Sequence, residues 1–251
     1  MKRLLILWIS LLVMGIAALA QAPFQNERLH YVISYKWGLI HKDAGDATLT
    51  LRRNGQNYDI MLTAVSKPWV DRFYMVRDTL KGVVSSSGLR PLSYTKLTHE
   101  KGKHKKDVIT YKYAGAGVSA VATRYRYDDA GRPSVKQAAF SSAGPAFDML
   151  SIFYYIRRID YARLKKNDCN IVTVFSGRQK ETVEIRYLGR EMVTLKDKSL
   201  REAYHIKFRF TRDGGKKSSE DMDTWISTDA SHVPLLLVGK LPIGEIRATL
   251  L

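Results

Sequence analysis

The residues best placed to do chemistry are four lysines gathered about one glycine: Lys101, Lys103, Lys105 and Lys106 flank Gly102. Several ammonium groups on one tip raise the local positive potential, which suits the phosphates of lipopolysaccharide, phospholipid headgroups or an acidic glycan. The Lys101-Gly102 pair is a turn signal, so the lysines belong to a hairpin tip. A structural role competes with the functional one, because solvated lysines also keep sheet edges from pairing with other chains. His99 and His104 lie close by, but they are five apart, one more than a helical zinc pair requires. The surrounding lysines would repel a cation, so no metal is expected.

A second group sits on an otherwise apolar stretch: Asp148, Ser151, Tyr155 and Arg157. Buried polar groups need partners, and a buried charge is a candidate site, so these four are the candidate ligand-binding residues. Asp148 and Ser151 are three apart and share a helical face. Arg157 is nine positions from Asp148 and points elsewhere, toward the terminal carbonyls of a helix or a strand carboxylate. An enzyme would need Asp148, Ser151, His205 or His232 to converge in a cleft. No GxSxG elbow, CxxC pair, Walker loop or Rossmann glycine pattern occurs. Neither catalytic residues nor a cofactor is expected. Cys169, the single cysteine, can form no intramolecular disulfide and reads as a small buried filler.

The elements that must position these groups show period two. Leu29, Tyr31, Ile33, Tyr35 and Trp37 alternate with more polar neighbours, as do Ala47, Leu49 and Leu51, and Tyr204, Ile206, Phe208 and Phe210. Turn signals such as Asn54-Gly55, Ser87-Gly88 and Gly115-Ala116-Gly117 separate about eleven or twelve predicted strands. Tyr111 with Tyr113, and Tyr125 with Tyr127, share strand faces; such rings stack on sugars or pack across strands. Pro68 pre-sets a short helical turn through Phe73. The longer helix is predicted from Pro145 to about residue 164, apolar on almost every side and therefore wrapped by the sheet. The Ser/Gly/Pro-rich residues 128–144 form the one seam. The expected fold is mostly β: a large curved antiparallel sheet or half-barrel of about eleven strands wrapped round one buried helix, a single domain over residues 21–251.

Lys2 and Arg3 followed by the apolar residues 4–20, with Ala18-Leu19-Ala20 at the end, read as a signal peptide cleaved after Ala20. No later apolar run is long enough to span a bilayer, so no transmembrane anchor is expected after cleavage. The net charge is +17, and +15 once Lys2 and Arg3 leave with the peptide. That excess favours acidic partners, while an exported chain with no helical charge-presenting motif is poorly suited to nucleic acid.

The segments Leu29-His30-Tyr31 through Trp37-Gly38-Leu39-Ile40, Ala44-Gly45-Asp46-Ala47-Thr48-Leu49, Val76-Arg77-Asp78, Leu89-Arg90-Pro91, the run from Asp148 to Arg157, and Thr224-Trp225-Ile226-Ser227-Thr228-Asp229 through Val233-Pro234 to the Gly244-Glu245-Ile246-Arg247-Ala248-Thr249-Leu250 ending resemble the exported bacterial family known as domain of unknown function 3108. The resemblance covers nearly the whole mature chain, and implies an exported, mostly β domain without an established activity. A looser likeness of architecture links the pattern to periplasmic lipoprotein carriers, in which a curved sheet shelters acyl chains round a helical plug. The expectation is a non-catalytic protein of the Gram-negative periplasm that binds an anionic amphiphile, lipid or glycolipid, or an envelope glycan. The alternative is an envelope assembly factor whose partner is a protein and which has no ligand cavity.

Overall fold

The computed structural model describes residues 24–128, 130–212, 215–217 and 221–251. The predicted signal peptide lies outside them. Fifteen strands, numbered along the chain, are β1 (Glu27–Trp37), β2 (Ile40–Asn54), β3 (Asn57–Ser66), β4 (Val76–Ser85), β5 (Pro91–Glu100), β6 (Lys103–Ala114), β7 (Gly117–Tyr127), β8 (Pro133–Ser142), β9 (Ala146–Phe147), β10 (Cys169–Phe175), β11 (Lys180–Thr194), β12 (Leu200–Arg212), β13 (Met222–Ser227), β14 (Pro234–Lys240) and β15 (Glu245–Leu250). Two short helices, α1 (Pro68–Tyr74) and α2 (Ser151–Ile156), interrupt them.

All fifteen strands belong to one sheet, ordered β8-β7-β6-β5-β4-β3-β2-β1-β15-β14-β13-β12-β11-β10-β9. It consists of two meanders, β1 to β8 and β10 to β15, joined where β1 pairs antiparallel with β15 (Tyr31 opposite Leu250, Lys36 opposite Glu245). The sheet sweeps 335° round its axis, so it nearly closes into a barrel, with β8 and β9 as its two edges. This corrects the expected half-barrel of about eleven strands.

The buried helix is corrected as well, since neither short helix is enclosed by the sheet. Ala146 and Phe147, read as helical, pair in parallel with Thr173 and Val174 instead. Helix α2 is only six residues long, and the side chains around it divide between two cores. Leu150 and Tyr154 join the first, with Leu49, Leu51, Tyr58, Ile60, Tyr94 and Ile109. Ile152 and Ile156 join the second, with Val174, Val183, Ile185, Ile206 and Phe210. The all-round apolarity of the segment thus reflects two cores fed from one short element. Each fully buried Leu or Ile contributes roughly 1.5–3 kcal/mol, so this segment is the clasp between the meanders.

The Ser/Gly/Pro-rich seam contains strand β8, which pairs with β7 from Val118 opposite Ser142 to Tyr127 opposite Pro133. It is largely exposed and therefore carries no apolar alternation. Because neighbouring strands are antiparallel, alternate connections lie at the same end of the barrel. The β1–β2, β3–β4, β5–β6, β7–β8 and β14–β15 connections accordingly share one rim. No helix among the described residues is long and apolar enough to cross a membrane.

Candidate functional site: a basic groove at the barrel rim

The four lysines stand on the β5–β6 hairpin, where Lys101 and Gly102 both take positive φ (48° and 74°). That conformation matches the twist of a tight two-residue hairpin and places Gly at the second turn position, where a side chain would be strained. The hairpin lies inside the sheet, flanked by β4 and β7. Its lysines therefore guard no open edge, and edge protection does not explain them.

Each lysine has a distinct setting. Lys101 holds its ammonium 4.8 Å from the centre of the Tyr74 ring, and Lys106 lies 5.6 Å from that of Tyr125. Lys105 donates to Glu100 at 3.2 Å. Lys103 has no carboxylate partner among the described residues. The His99 and His104 rings, opposite one another across the strands, stack at 3.8 Å.

A groove of about 1030 Å³ opens beside this hairpin, lined among others by Arg77, His99, Lys103, His104, Lys105 and Arg126. Among the described residues, Asp128 is the one carboxylate residue in its lining. Arg77 and Arg126 are held in place from behind: Arg77 donates to Asp71 at 2.6 Å, and Arg126 to Asp107 at 2.5 Å. The Arg77 guanidinium in turn keeps the Asp71 carboxyl below its usual range. Positioned guanidinium groups together with the Lys103 ammonium can bind an anion such as a phosphate through charge-assisted hydrogen bonds. In the sequence His99 and His104 stand out only as a histidine pair, and nothing there places them in one groove with Arg77 and Arg126. Period two puts Arg126 on a strand, but only the β4-β5-β6-β7 order brings these four together.

The second predicted group stands apart from the first, and of its four residues only Asp148 and Ser151 come together, as their shared helical face implies. Asp148 is fully buried, and its Oδ1 accepts the backbone N–H groups of Leu150 (2.9 Å) and Ser151 (2.8 Å). The Ser151 hydroxyl accepts from the Asp148 N–H at 2.9 Å. This reciprocal pair starts the α2 turn, the geometry that a capping box provides. Burial raises the Asp148 carboxyl to about 6 against the lowering effect of those hydrogen bonds. Its Oδ2 and the hydroxyls of Tyr94 and Tyr111 are buried without a hydrogen-bond partner among the described residues. The Tyr111 hydroxyl is close to the carboxyl but outside hydrogen-bonding geometry, and burial raises both phenols.

Tyr155 packs its ring on Phe147, with centroids 4.6 Å apart. Arg157 turns the other way, donating to Glu27 of β1 at 2.5 and 3.0 Å and to the Ser231 carbonyl at 3.2 and 3.0 Å. Phe24 and Tyr154 flank its guanidinium. Glu27 has no signal in the sequence, since 130 positions separate it from Arg157. His205 lies outside the interior, between Glu191 (3.0 Å) and Asp223 (2.8 Å) and stacked on Trp225. His232 donates from Nδ1 to the Arg157 carbonyl at 2.9 Å. Asp148 and Ser151 thus bond to each other while His205 and His232 have other partners, and the four form no common cleft. Cys169, expected inside, is exposed at the start of β10.

Comparison with solved structures finds the fold again at low sequence identity. The crystal structure of a β-barrel-like protein of domain of unknown function DUF1849 from Brucella abortus superposes with a TM-score of 0.61 at 8% identity, covering 91% of this chain and 97% of that one. The two share architecture alone. Comparison with curated proteins finds no match. Residues 30–251 match the family described as "Protein of unknown function (DUF3108)", a match that spans the barrel from β1 to β15, and the chain belongs to that family.

Proposed function

We propose that this protein is a non-catalytic, exported component of the bacterial envelope that binds an anionic amphiphile, a lipid or glycolipid, by its headgroup in the rim groove. The observation that carries this function is the groove itself, where Arg77, Lys105 and Arg126 are held by carboxylates, Lys103 and Lys106 have no carboxylate partner among the described residues, and Asp128 is the one carboxylate residue described in the lining. The charged-then-apolar residues 2–20 support export to the periplasm. No acyl chain is assigned to the barrel interior, because the two cores meet through α2 where a plugged cavity would be needed.

Cosedimentation with lipopolysaccharide tests the proposal. The variant with Lys101, Lys103, Lys105 and Lys106 all changed to Gln should lose roughly 1 kcal/mol of binding per lysine at low salt, and less at higher salt. Equal binding by wild type and variant would rule out the groove as the binding site. A second function rests on the open edge of β8, which presents unpaired backbone to an added strand from a protein partner. Crosslinking from residues of β8 in intact cells would favour it if one protein dominated the products.

A further inference from the structure

We propose that the same rim carries a bilayer-insertion site, made by the β1–β2 and β14–β15 hairpin tips, which seats the barrel on an anionic membrane surface. It goes beyond headgroup binding in the groove, since the apolar tip residues that carry it do not line the groove. Trp37, Leu39 and Ile40 on one tip and Leu241 and Ile243 on the other are all exposed large apolar side chains. Leu39 is 105% exposed, so it stands clear of every neighbour. A rigid partner surface would need a matching socket for each projecting side chain. A lipid interface deforms round them at no such cost.

The tips are built as one unit. Lys36 pairs with Glu245 in register, and the Tyr35 hydroxyl donates to the Ile243 carbonyl at 3.0 Å. Gly244 has φ +78°, and a Cβ there would overlap the Lys36 carbonyl oxygen, so the β14–β15 turn lies hard against β1. Two apolar tips are therefore held together without folding on arrival at the membrane. A third apolar group sits on the same rim: α1 has no buried residue and leaves Phe73 78% exposed. It is tied to β2 by Trp69 Nε1 donating to the Asp43 carbonyl at 2.7 Å, with Lys42 over the Trp69 ring. The Lys101 N–H donates to the Met75 carbonyl, which sets the lysine hairpin beside the helix exit.

Charge complementarity names the occupant. Lys36, Lys42, Lys101, Lys103 and Lys240 accompany these apolar groups on the rim and outnumber Glu245, which lies opposite Lys36 and Lys240, and the tips themselves (residues 37–40 and 241–244) contain no carboxylate. Tryptophan at the interface, aliphatic side chains below it and lysines at headgroup level are the distribution that an anionic bilayer surface selects.

The test uses the mature chain with vesicles of phosphatidylcholine alone and of phosphatidylcholine mixed with phosphatidylglycerol. Wild type should sediment with the anionic vesicles at low salt. The Leu39→Ser, Ile243→Ser double variant should partition roughly tenfold or more weaker, with an unchanged melting curve, because both side chains are solvent-exposed. On a Cys169→Ser background, Leu39→Cys carrying an environment-sensitive fluorophore should shift to the blue with anionic vesicles only. Lack of wild-type binding to either vesicle, or a fluorophore that does not respond, would overturn the proposal. So would self-association of wild type that the double variant abolishes, since the tips would then face a second copy. Headgroup binding in the groove is separable: short-chain lipids that bind the double variant as well as wild type would leave the groove standing while the tips fail.

Discussion

Arg157 and Glu27 form a two-pronged ion pair across 130 positions of chain, with the arginine side chain 1% exposed. The pair fastens the segment after α2 to the first strand, and the Ser231 carbonyl anchors the same guanidinium to the β13–β14 connection. Three distant parts of the chain meet at one side chain. Removing one partner of such a pair strands a charge away from water. Arg157→Met should therefore cost about 3 kcal/mol or more, whereas the Glu27→Leu, Arg157→Met double variant should recover part of that loss. Urea unfolding of the three proteins checks this, and equal losses for single and double variants would contradict it.

Asp148 gives a signed pH effect. Burial raises its carboxyl from 3.8 to about 6 in the fold. The group's contribution to stability is then fully present below its unfolded value and is lost as pH rises through about 6. Asp148→Asn keeps an oxygen to accept the Leu150 and Ser151 N–H groups and cannot ionise. Relative to wild type, the variant should gain on the order of 2–3 kcal/mol between pH 4 and pH 7. Urea unfolding at both pH values measures the difference, and a gap that does not change with pH would show that the carboxyl is not perturbed.

Two glycines of the rim should respond differently to one added methyl group. Gly38 has φ +55° with open space around it, so Gly38→Ala should cost about 1 kcal/mol of backbone strain. Gly244→Ala adds a clash with the Lys36 backbone to similar strain, and should cost roughly 2 kcal/mol or more. Thermal melts order the pair, and equal losses would mean that the two tips are not in contact.

Legibility in the sequence tracked burial on one face. Ala47, Leu49 and Leu51 alternate as their strand requires, and Tyr204, Ile206, Phe208 and Phe210 are all buried. In β1 the rule weakens, because Tyr31 and Val32 are adjacent yet both buried. The strand count falls short partly because β8 buries little and so leaves no alternation to read. The α2 segment misleads for the opposite reason. Its apolar residues point two ways into two cores, a pattern that resembles enclosure in a window of sequence. Of the candidate site, the lysine tip is visible as a charge cluster, whereas Arg77 and Arg126 reach the groove only through strand order.

Binding of an anionic headgroup in the rim groove is tested most directly by a titration followed by NMR. Short-chain phosphatidylglycerol, kept below its micelle concentration, should shift backbone signals of His99, Lys103, His104, Lys105 and Arg126, and the shifts should weaken as salt is added. Signals that stay unmoved in the groove, or that shift over the whole barrel without regard to salt, would contradict headgroup binding there.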